Sequence, residues 1–279
     1  MIIDVSYSQG KIDFNKLSKE KELQGIIIRA GYGKNNIDTQ FQHNIVQATK
    51  HKMKIGIYWF SYAYTVDMAR KEASYCLDAI KGYDIKLPIF FDWEYDSEVY
   101  ARKNGVKPNR ALITDMNKAF CDVVEKHGYV AGYYSNLDFE QSKLNVNELK
   151  KYVKWYAQYS TKASKDYDLW QYSSKAKLAG ITANTVDANK PSAEFTKKFL
   201  SDKLKVPKAP LNYKDTGNEV KELQQCLNKT LNLHLKVDGI YGNLTAEAVA
   251  KFKEKYKLSS YNGKHYGNIM KAKLETLIK

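Results

Sequence analysis

The segment Phe90-Phe91-Asp92-Trp93-Glu94 sets two carboxylates two residues apart at the end of an apolar run. Side chains of an extended chain alternate, so Asp92 and Glu94 share one face, about 6–7 Å apart at Cα, while Phe91 and Trp93 take the other. Two carboxyls held so close do not both ionise freely: one keeps its proton at neutral pH beside a charged partner. A proton donor next to a fixed negative charge is what cleavage of a glycosidic bond needs. Two further carboxylates close apolar runs in the same way, Asp4 after Ile2-Ile3 and Asp187 after Val186. Flat rings with polar tips, suited to stacking on pyranose rings, lie at or near the ends of such runs: Tyr32, Tyr58, Trp59, Tyr133, Tyr134, Trp155, Tyr156, Trp170 and Tyr172. Part of this set is expected simply to fill the core.

Other chemistries find no support in residue spacing. The five histidines, His43, His51, His127, His234 and His265, form no HExxH or paired-ligand pattern, so no metal site and no cofactor is expected. Gly31-Tyr32-Gly33-Lys34 follows a strand-like run but completes neither a dinucleotide fingerprint nor a phosphate loop. No GxSxG elbow is present. Cys76, Cys121 and Cys226 are widely spaced in helix-like stretches and read as reduced, buried thiols.

The elements that must present the carboxylates follow from periodicity. Short β-branched and aromatic runs recur at 2–5, 25–30, 54–62, 87–93, 129–134, 153–159, 167–172 and 185–187, and several are almost wholly apolar, as in strands buried on both faces. Between the early runs lie amphipathic helices: one at 38–51, one capped by Thr65 that ends before Gly82, and one carrying Leu112, Met116, Phe120 and Val124 that stops at Gly128. Strands alternating with helices predict an α/β fold with a parallel sheet, and eight strands over about 195 residues predict a closed barrel. After Tyr134 the helices nearly vanish, with one brief helix at 147–152. The expectation is an irregular TIM-like (β/α)5(β)3 barrel, with each carboxylate, Asp187 included, at the end of its strand on the catalytic rim.

Two of the chain's five prolines fall in Lys205-Val206-Pro207-Lys208-Ala209-Pro210, which marks a linker at 201–212 between a barrel domain at 1–200 and a small all-α domain at 213–279. Helices are expected there at 218–228, 245–256 and 268–278. Val237-Asp238-Gly239-Ile240-Tyr241-Gly242-Asn243 recurs in degenerate form as Tyr261-Asn262-Gly263-Lys264-His265-Tyr266-Gly267-Asn268, each opening a helix, so the domain carries a small internal duplication.

With 43% hydrophobic residues in a chain of 279, disorder is excluded as the main state. The longest uncharged apolar stretches fall far short of the roughly 20 residues of a membrane helix, so no membrane insertion is expected. Lysine plus arginine (45) exceeds aspartate plus glutamate (31), a net charge of +14 that points to an anionic partner. Residues 211–279 hold 12 lysines against 7 acidic residues, so both halves are basic. There is neither a basic helix nor an aromatic-basic RNA motif, so nucleic acid is not the expected partner, and no protein partner is implied. Met1-Ile2-Ile3-Asp4 shows no readable leader, which predicts that the protein waits in the cytoplasm.

Asp4-Val5-Ser6 with Gln9-Gly10, Ile28-Arg29-Ala30-Gly31-Tyr32-Gly33, Gly56-Ile57-Tyr58-Trp59-Phe60, Phe91-Asp92-Trp93-Glu94, Trp155-Tyr156-Ala157-Gln158-Tyr159, Leu169-Trp170-Gln171-Tyr172 and Val186-Asp187 resemble, in order and spacing, the motifs of the glycoside hydrolase family 25 lysozymes. The resemblance covers residues 1 to about 198. It implies an irregular barrel that cleaves the β-1,4 bond from N-acetylmuramic acid to N-acetylglucosamine in peptidoglycan. Glu94 would then be the general acid, Asp92 its partner beneath the sugar, and Asp4 and Asp187 flanking carboxylates. Gln158 and Gln171 would join Tyr32, Tyr58, Trp59, Tyr133 and Trp155 as sugar contacts. A route assisted by the substrate's own acetamido group, oriented by Asp92, is favoured over direct attack by that carboxylate. Trp59 stands where such lysozymes often carry histidine.

Gly217-Asn218-Glu219-Val220-Lys221-Glu222-Leu223-Gln224, Val237-Asp238-Gly239-Ile240-Tyr241-Gly242 and Thr245 are similar to the helical peptidoglycan-binding domains that accompany wall hydrolases. Together the resemblances imply a phage endolysin acting on peptidoglycan and anionic wall polymers after holin-type release. The competing readings are another N-acetylhexosaminidase, chitinase-like in specificity, and a non-catalytic wall lectin, which would have no use for a proton donor.

Overall fold

All four side chains of β1 (Ile2–Val5) are buried, the pattern of a strand covered on both faces. The computed structural model describes residues 1–183, 185–201, 204–258 and 263–278. A one-turn helix, α1 (Phe14–Leu17), opens on Asp13, whose carboxylate accepts from the Asn15 and Lys16 amides. It leads to β2 (Gly25–Tyr32), a two-residue strand β3 (Asn36–Ile37) and α2 (Phe41–Lys50). Then come β4 (Ile55–Phe60), α3 (Val66–Ala79), β5 (Ile89–Asp92), α4 (Tyr95–Lys103), α5 (Arg110–Lys126) and β6 (Ala131–Asn136). Thr65 caps α3 as its sequence suggests, its hydroxyl accepting from the Met68 amide at 3.2 Å.

Beyond β6 the helix content collapses to a π turn (Phe139–Lys143) and a 3-10 turn (Val146–Leu149), which stands where a brief helix at 147–152 was expected. Three strands follow, β7 (Val153–Ala157), β8 (Leu169–Ala176) and β9 (Val186–Pro191), and then α6 (Ala193–Phe195).

The sheet order is β1-β9-β8-β7-β6-β5-β4-β2-β3, and β1 also pairs with β2, so eight strands close into a barrel with β3 as an appendage on β2. Every barrel neighbour pair from β1–β2 round to β7–β8 is parallel, whereas β9 is antiparallel to both β8 and β1. This corrects the expectation for Asp187: it lies near the start of a strand reaching Pro191, and does not end one. The connection from Ala176 to Val186 is shorter than the dozen or so residues that a parallel crossover takes, so the last strand returns in the opposite sense. Asp187 still arrives at the catalytic rim, because the beginning of a reversed strand lies beside the ends of the others.

Alternation along the strands sorts the barrel into two layers. Ile26, Ile28 and Ala30 of β2, Ile55, Ile57 and Trp59 of β4, and Ile89 and Phe91 of β5 point outward into one buried cluster with Phe41, Ile45, Ala69, Ala73, Met116, Phe120 and Val124 of the helices. Phe91 meets Phe120 with ring centroids 5.0 Å apart. Ile2, Ile27, Tyr58, Phe90, Val153, Trp155 and Leu169 form a second cluster of the opposite parity, filling the barrel interior. Full burial of each large side chain contributes about 1.5–3 kcal/mol. Cys76 and Cys121 sit in the outer layer as buried free thiols.

The chain divides into two compact units after Ser201. In the second, α7 (Asn218–Leu231), α8 (Asn243–Lys255) and α9 (Asn268–Leu277) enclose Val220, Leu223, Cys226, Leu227, Val249, Phe252, Met270 and Leu274. The proline-bearing segment expected as a linker belongs to this unit: Leu204, Val206 and Ala209 pack on its core, and Leu211 pairs with Tyr266. The duplication has a physical meaning. Tyr241 and Tyr266, at matching places in the two copies, are fully buried and donate their hydroxyls to the carbonyls of Lys264 and Pro207, at 2.7 and 2.9 Å. The start of the second copy, Tyr261-Asn262, lies outside the described residues.

Candidate active site

The interior columns of the barrel change character from bottom to top. On β1, Ile2 is followed two residues on by Asp4; on β2, Ile27 by Arg29; on β5, Phe90 by Asp92; and on β8, Leu169 by Gln171. Each step moves up one side of a strand, so four apolar floor residues carry four polar ones at one rim. Antiparallel β9 brings Asn189 opposite Ile2 and Gln171, and Asp187 opposite Asp4. Glu94 follows Asp92 by two residues and caps the start of α4. All four carboxylates named by the sequence therefore converge: Asp4, Asp92 and Asp187 on strands, Glu94 just past one.

The Glu94 backbone is tied down from both sides. Its amide donates to Ser97 Oγ at 2.9 Å, and that hydroxyl donates to the Ser61 carbonyl at the end of β4. The Ser61 amide in turn donates to the Asp92 carbonyl at 2.7 Å.

Burial dominates the electrostatics. It raises Asp4 to about 7, with the charge of Asp187 adding and N–H donors from Asn189 and Gln171 opposing. Burial raises Glu94 to about 7 and Asp187 to about 6. Asp92 is raised most plainly, by burial and then by the charges of Glu94 and Asp4, with Arg29 opposing. Asp92 and Glu94 lie within each other's field, and the negative charge of Glu94 disfavours ionisation of Asp92. The second Asp92 oxygen, Oδ1, is buried and has no partner. Burial and like charge thus favour a protonated carboxyl in the pair near neutral pH, beside a buried carboxyl oxygen without a partner.

Of the expected sugar contacts, Tyr32 lies exposed at the rim, and a bulge puts it there. The β2–β4 register shifts between Arg29 and Gly31, so Gly31 pairs with Trp59 on the outer layer and Tyr32 pairs with Phe60. Tyr58 is an interior residue, its ring 5.8 Å from that of Trp155 below the carboxylates. Three expectations are corrected. Trp59 faces outward, fully buried, and donates its indole N–H to Gly33 O at 3.2 Å. Tyr133 faces the same outer layer. Trp155 faces inward but is 1% exposed, beneath the rim, and its indole N–H reaches Asn189 Oδ1 at 2.7 Å. Gln158 spends its carboxamide oxygen on the Ser164 amide and the Tyr156 hydroxyl, holding the β7–β8 connection. Gln171 is buried at the site itself, donating to Asp4 at 3.1 Å.

Sequence reading missed three residues. Asp38 is buried and takes Arg29 Nε at 2.7 Å and the Tyr7 amide at 3.0 Å on one oxygen. Arg29 is thereby held 4.8 Å from the Tyr7 ring and 5.6 Å from the Tyr32 ring, a positive charge at the mouth. Asn189 donates to Asp4 Oδ2 at 2.8 Å. The available signal was parity: Arg29 stands two residues after Ile27.

Residues 3–181 match the model for glycosyl hydrolases family 25, more than half of the chain. The chain belongs to glycosyl hydrolases family 25. As a family 25 member it is a glycoside hydrolase, and residues 216–264 add a match to a peptidoglycan binding domain. It is 26% identical over 253 residues to the autolytic lysozyme of Clostridium acetobutylicum, covering 90% of this chain and 71% of that one. The modular autolysin LytC of Streptococcus pneumoniae superposes with a TM-score of 0.60 at 27% identity over 67% of this chain; the alignment spans 45% of LytC. The catalytic domain of endolysin ply40, from a bacteriophage of Listeria monocytogenes, shares the fold with a TM-score of 0.61 at 24% identity, over 71% of this chain and 95% of that domain.

Proposed function

We propose that this chain is a lysozyme that hydrolyses the β-1,4 bond between N-acetylmuramic acid and N-acetylglucosamine in peptidoglycan, with Glu94 as general acid. The observation that carries the reading is the convergence of Asp4, Asp92, Glu94 and Asp187 at the rim of a family 25 barrel, with Asp92 and Glu94 raised by burial. Burial raises both carboxyls, so a proton is available to the pair near neutral pH. A sugar acetamido N–H donated to Asp92 stabilises its carboxylate form and leaves the proton on Glu94, so that substrate binding arms the acid. Glu94 gives the proton to the glycosidic oxygen as the bond from C1 breaks, and the acetamido oxygen closes on C1 to form an oxazolinium ion. Glu94, now a carboxylate, takes a proton from the water that attacks C1, which reopens the ring and restores the acid. The buried, raised Asp92 suits an acceptor for the acetamido N–H better than a nucleophile.

The second unit, by its family match, supports retention on the wall, and the net charge of +14 supports attraction to anionic wall polymers. An endolysin stored in the cytoplasm and released through a holin-type opening fits the two-part architecture; the relatives named above include an autolytic lysozyme and a phage endolysin.

The test is turbidity loss of purified Gram-positive walls with wild type and Glu94→Gln, followed by mass spectrometry of the new reducing ends. Clearing by wild type alone, with N-acetylmuramic acid at those ends, is expected. N-acetylglucosamine ends would replace the specificity, and equal clearing by both proteins would move the acid elsewhere.

A further inference from the structure

Asn189 is completely buried and fully used: Nδ2 donates to Asp4 Oδ2 at 2.8 Å and to Ile2 O at 3.3 Å, and Oδ1 accepts from Trp155 Nε1 at 2.7 Å. A carboxamide can be turned end for end, but an indole N–H donates and never accepts. Trp155 therefore admits only one orientation of Asn189, the one that presents N–H to Asp4. The indole cannot move aside, because it is wedged in the barrel floor between Phe90, Tyr58 and Tyr134, at 5.1, 5.8 and 5.0 Å between ring centroids. Gln171 is held in the same sense: its Oε1 takes hydroxyl donors from Tyr134 and Tyr159, both at 3.1 Å, and its Nε2 points to Asp4 Oδ2 at 3.1 Å. Two amide donors on one carboxylate oxygen exclude a proton from it and favour the ionised group.

We propose that Trp155 is a positioning residue for the hydrolysis, acting through Asn189 to favour the ionised form of Asp4 in the carboxylate cluster. Asp4 is faced by carboxylates that work against this, Asp187 on β9, Asp92 on β5 and Glu94 beyond it, while the hydroxyls of Tyr58 on β4, Tyr134 on β6 and Tyr159 after β7 face it as neutral groups, kept protonated by burial and by the carboxylate charges. Arg29 on β2 supplies the opposing positive charge at the mouth, where it is felt by Asp92 and Tyr58. A charge held so near balance depends on each donor. With the indole N–H gone, the long 3.3 Å bond to Ile2 O is the remaining contact outside Asp4 that orients Asn189, and an Asn189 that turns its oxygen toward Asp4 lets that carboxyl take up a proton. The cluster loses the negative charge that faces the cationic sugar and that helps keep the proton on the Asp92–Glu94 pair.

The proposal rests on the carboxylate cluster being the catalytic site, and its test separates the two. Asp4 is followed by carbon-13 carboxyl NMR as a function of pH in the full chain, alongside kcat and KM on soluble peptidoglycan fragments. Trp155→Phe is expected to raise the Asp4 midpoint by about one to two pH units, the worth of one hydrogen bond to a charged group. The acid limb of the kcat profile moves with it, and KM changes less than kcat. Asn189→Ala gives the same shift, and Trp155→Phe made on top of it adds none. Should Trp155→Phe not fold, Asn189→Ala alone decides. A loss of stability or activity in these variants with the Asp4 midpoint unchanged means that Trp155 only fills the floor, and overturns the proposal. Wild type that titrates as described but cleaves no fragment would leave the Asp4 assignment standing and remove the function.

Discussion

As the proposed general acid, Glu94 must carry a proton, and burial raises it to about 7. Activity on soluble fragments should therefore fall as pH rises through about 7, and a pH series of kcat/KM measures that limb directly. Glu94→Gln should lower kcat about 10²- to 10⁴-fold, the usual worth of a positioned acid, with the melting profile retained. A second buried carboxyl, Glu72 on α3, lies away from the cluster, 2% exposed, accepting from the Tyr62 amide with one oxygen and holding the other without a partner. Burial raises it from 4.5 to about 7. Between those values the folded chain binds the proton that the unfolded chain has lost, so stability declines across that window and stays lower above it. Full ionisation of Glu72 costs on the order of 3 kcal/mol. Calorimetry at pH 5 and pH 8 should show wild type losing stability, and Glu72→Gln losing less of it. At this scale strand parity made the acid pair readable from Asp92 and Glu94 alone. Arg29 was not, since a lone arginine reads as a solvated charge until its strand register is known.

The strands and their irregularities decide which side chains reach the rim. Alternation, applied to Phe91 and Trp93, assigns them correctly to the helix-facing layer, and the same rule applied to Trp59 and Tyr133 would have removed them from the sugar contacts. The bulge in β2 was not legible, because a one-residue slip leaves no mark in an apolar run. It places Gly31 against the Trp59 ring, where an added Cβ would lie 2.7 Å from two ring atoms and 2.3 Å from Asn36 O. Gly31→Ala should cost about 1–3 kcal/mol by overpacking, measured by urea denaturation, and should disturb Tyr32 with it. The direction of β9 also escaped the sequence. Asn189 was missed for that reason, since it lies two residues beyond the point where the strand was expected to stop.

For the whole molecule, the barrel carries the chemistry and the helical unit its own closed core. Removing residues 202–279 should leave cleavage of soluble fragments near wild type and weaken clearing of intact walls; equal loss on both substrates would mean that the barrel needs the second unit to fold. Added salt should slow wall clearing more than fragment cleavage, because attraction between a +14 protein and an anionic wall is screened beyond about 10 Å at 0.1 M. The two units and the irregular barrel followed from the proline segment and from the loss of helices after Tyr134. The packing of that segment on the helical core did not, because prolines mark an extended chain without saying what it lies on. The closure of the barrel carries a consequence for biosynthesis. Asp4 leaves the ribosome long before its antiparallel neighbour, which carries Asp187 and Asn189 and is the last strand of the catalytic unit to emerge. A nascent chain that ends before β9 has an open seam between β8 and β1 and an incomplete charge cluster. Completion of the charge cluster thus waits on the end of the catalytic unit's synthesis, and a chain stopped before Val186 should cleave no soluble fragments.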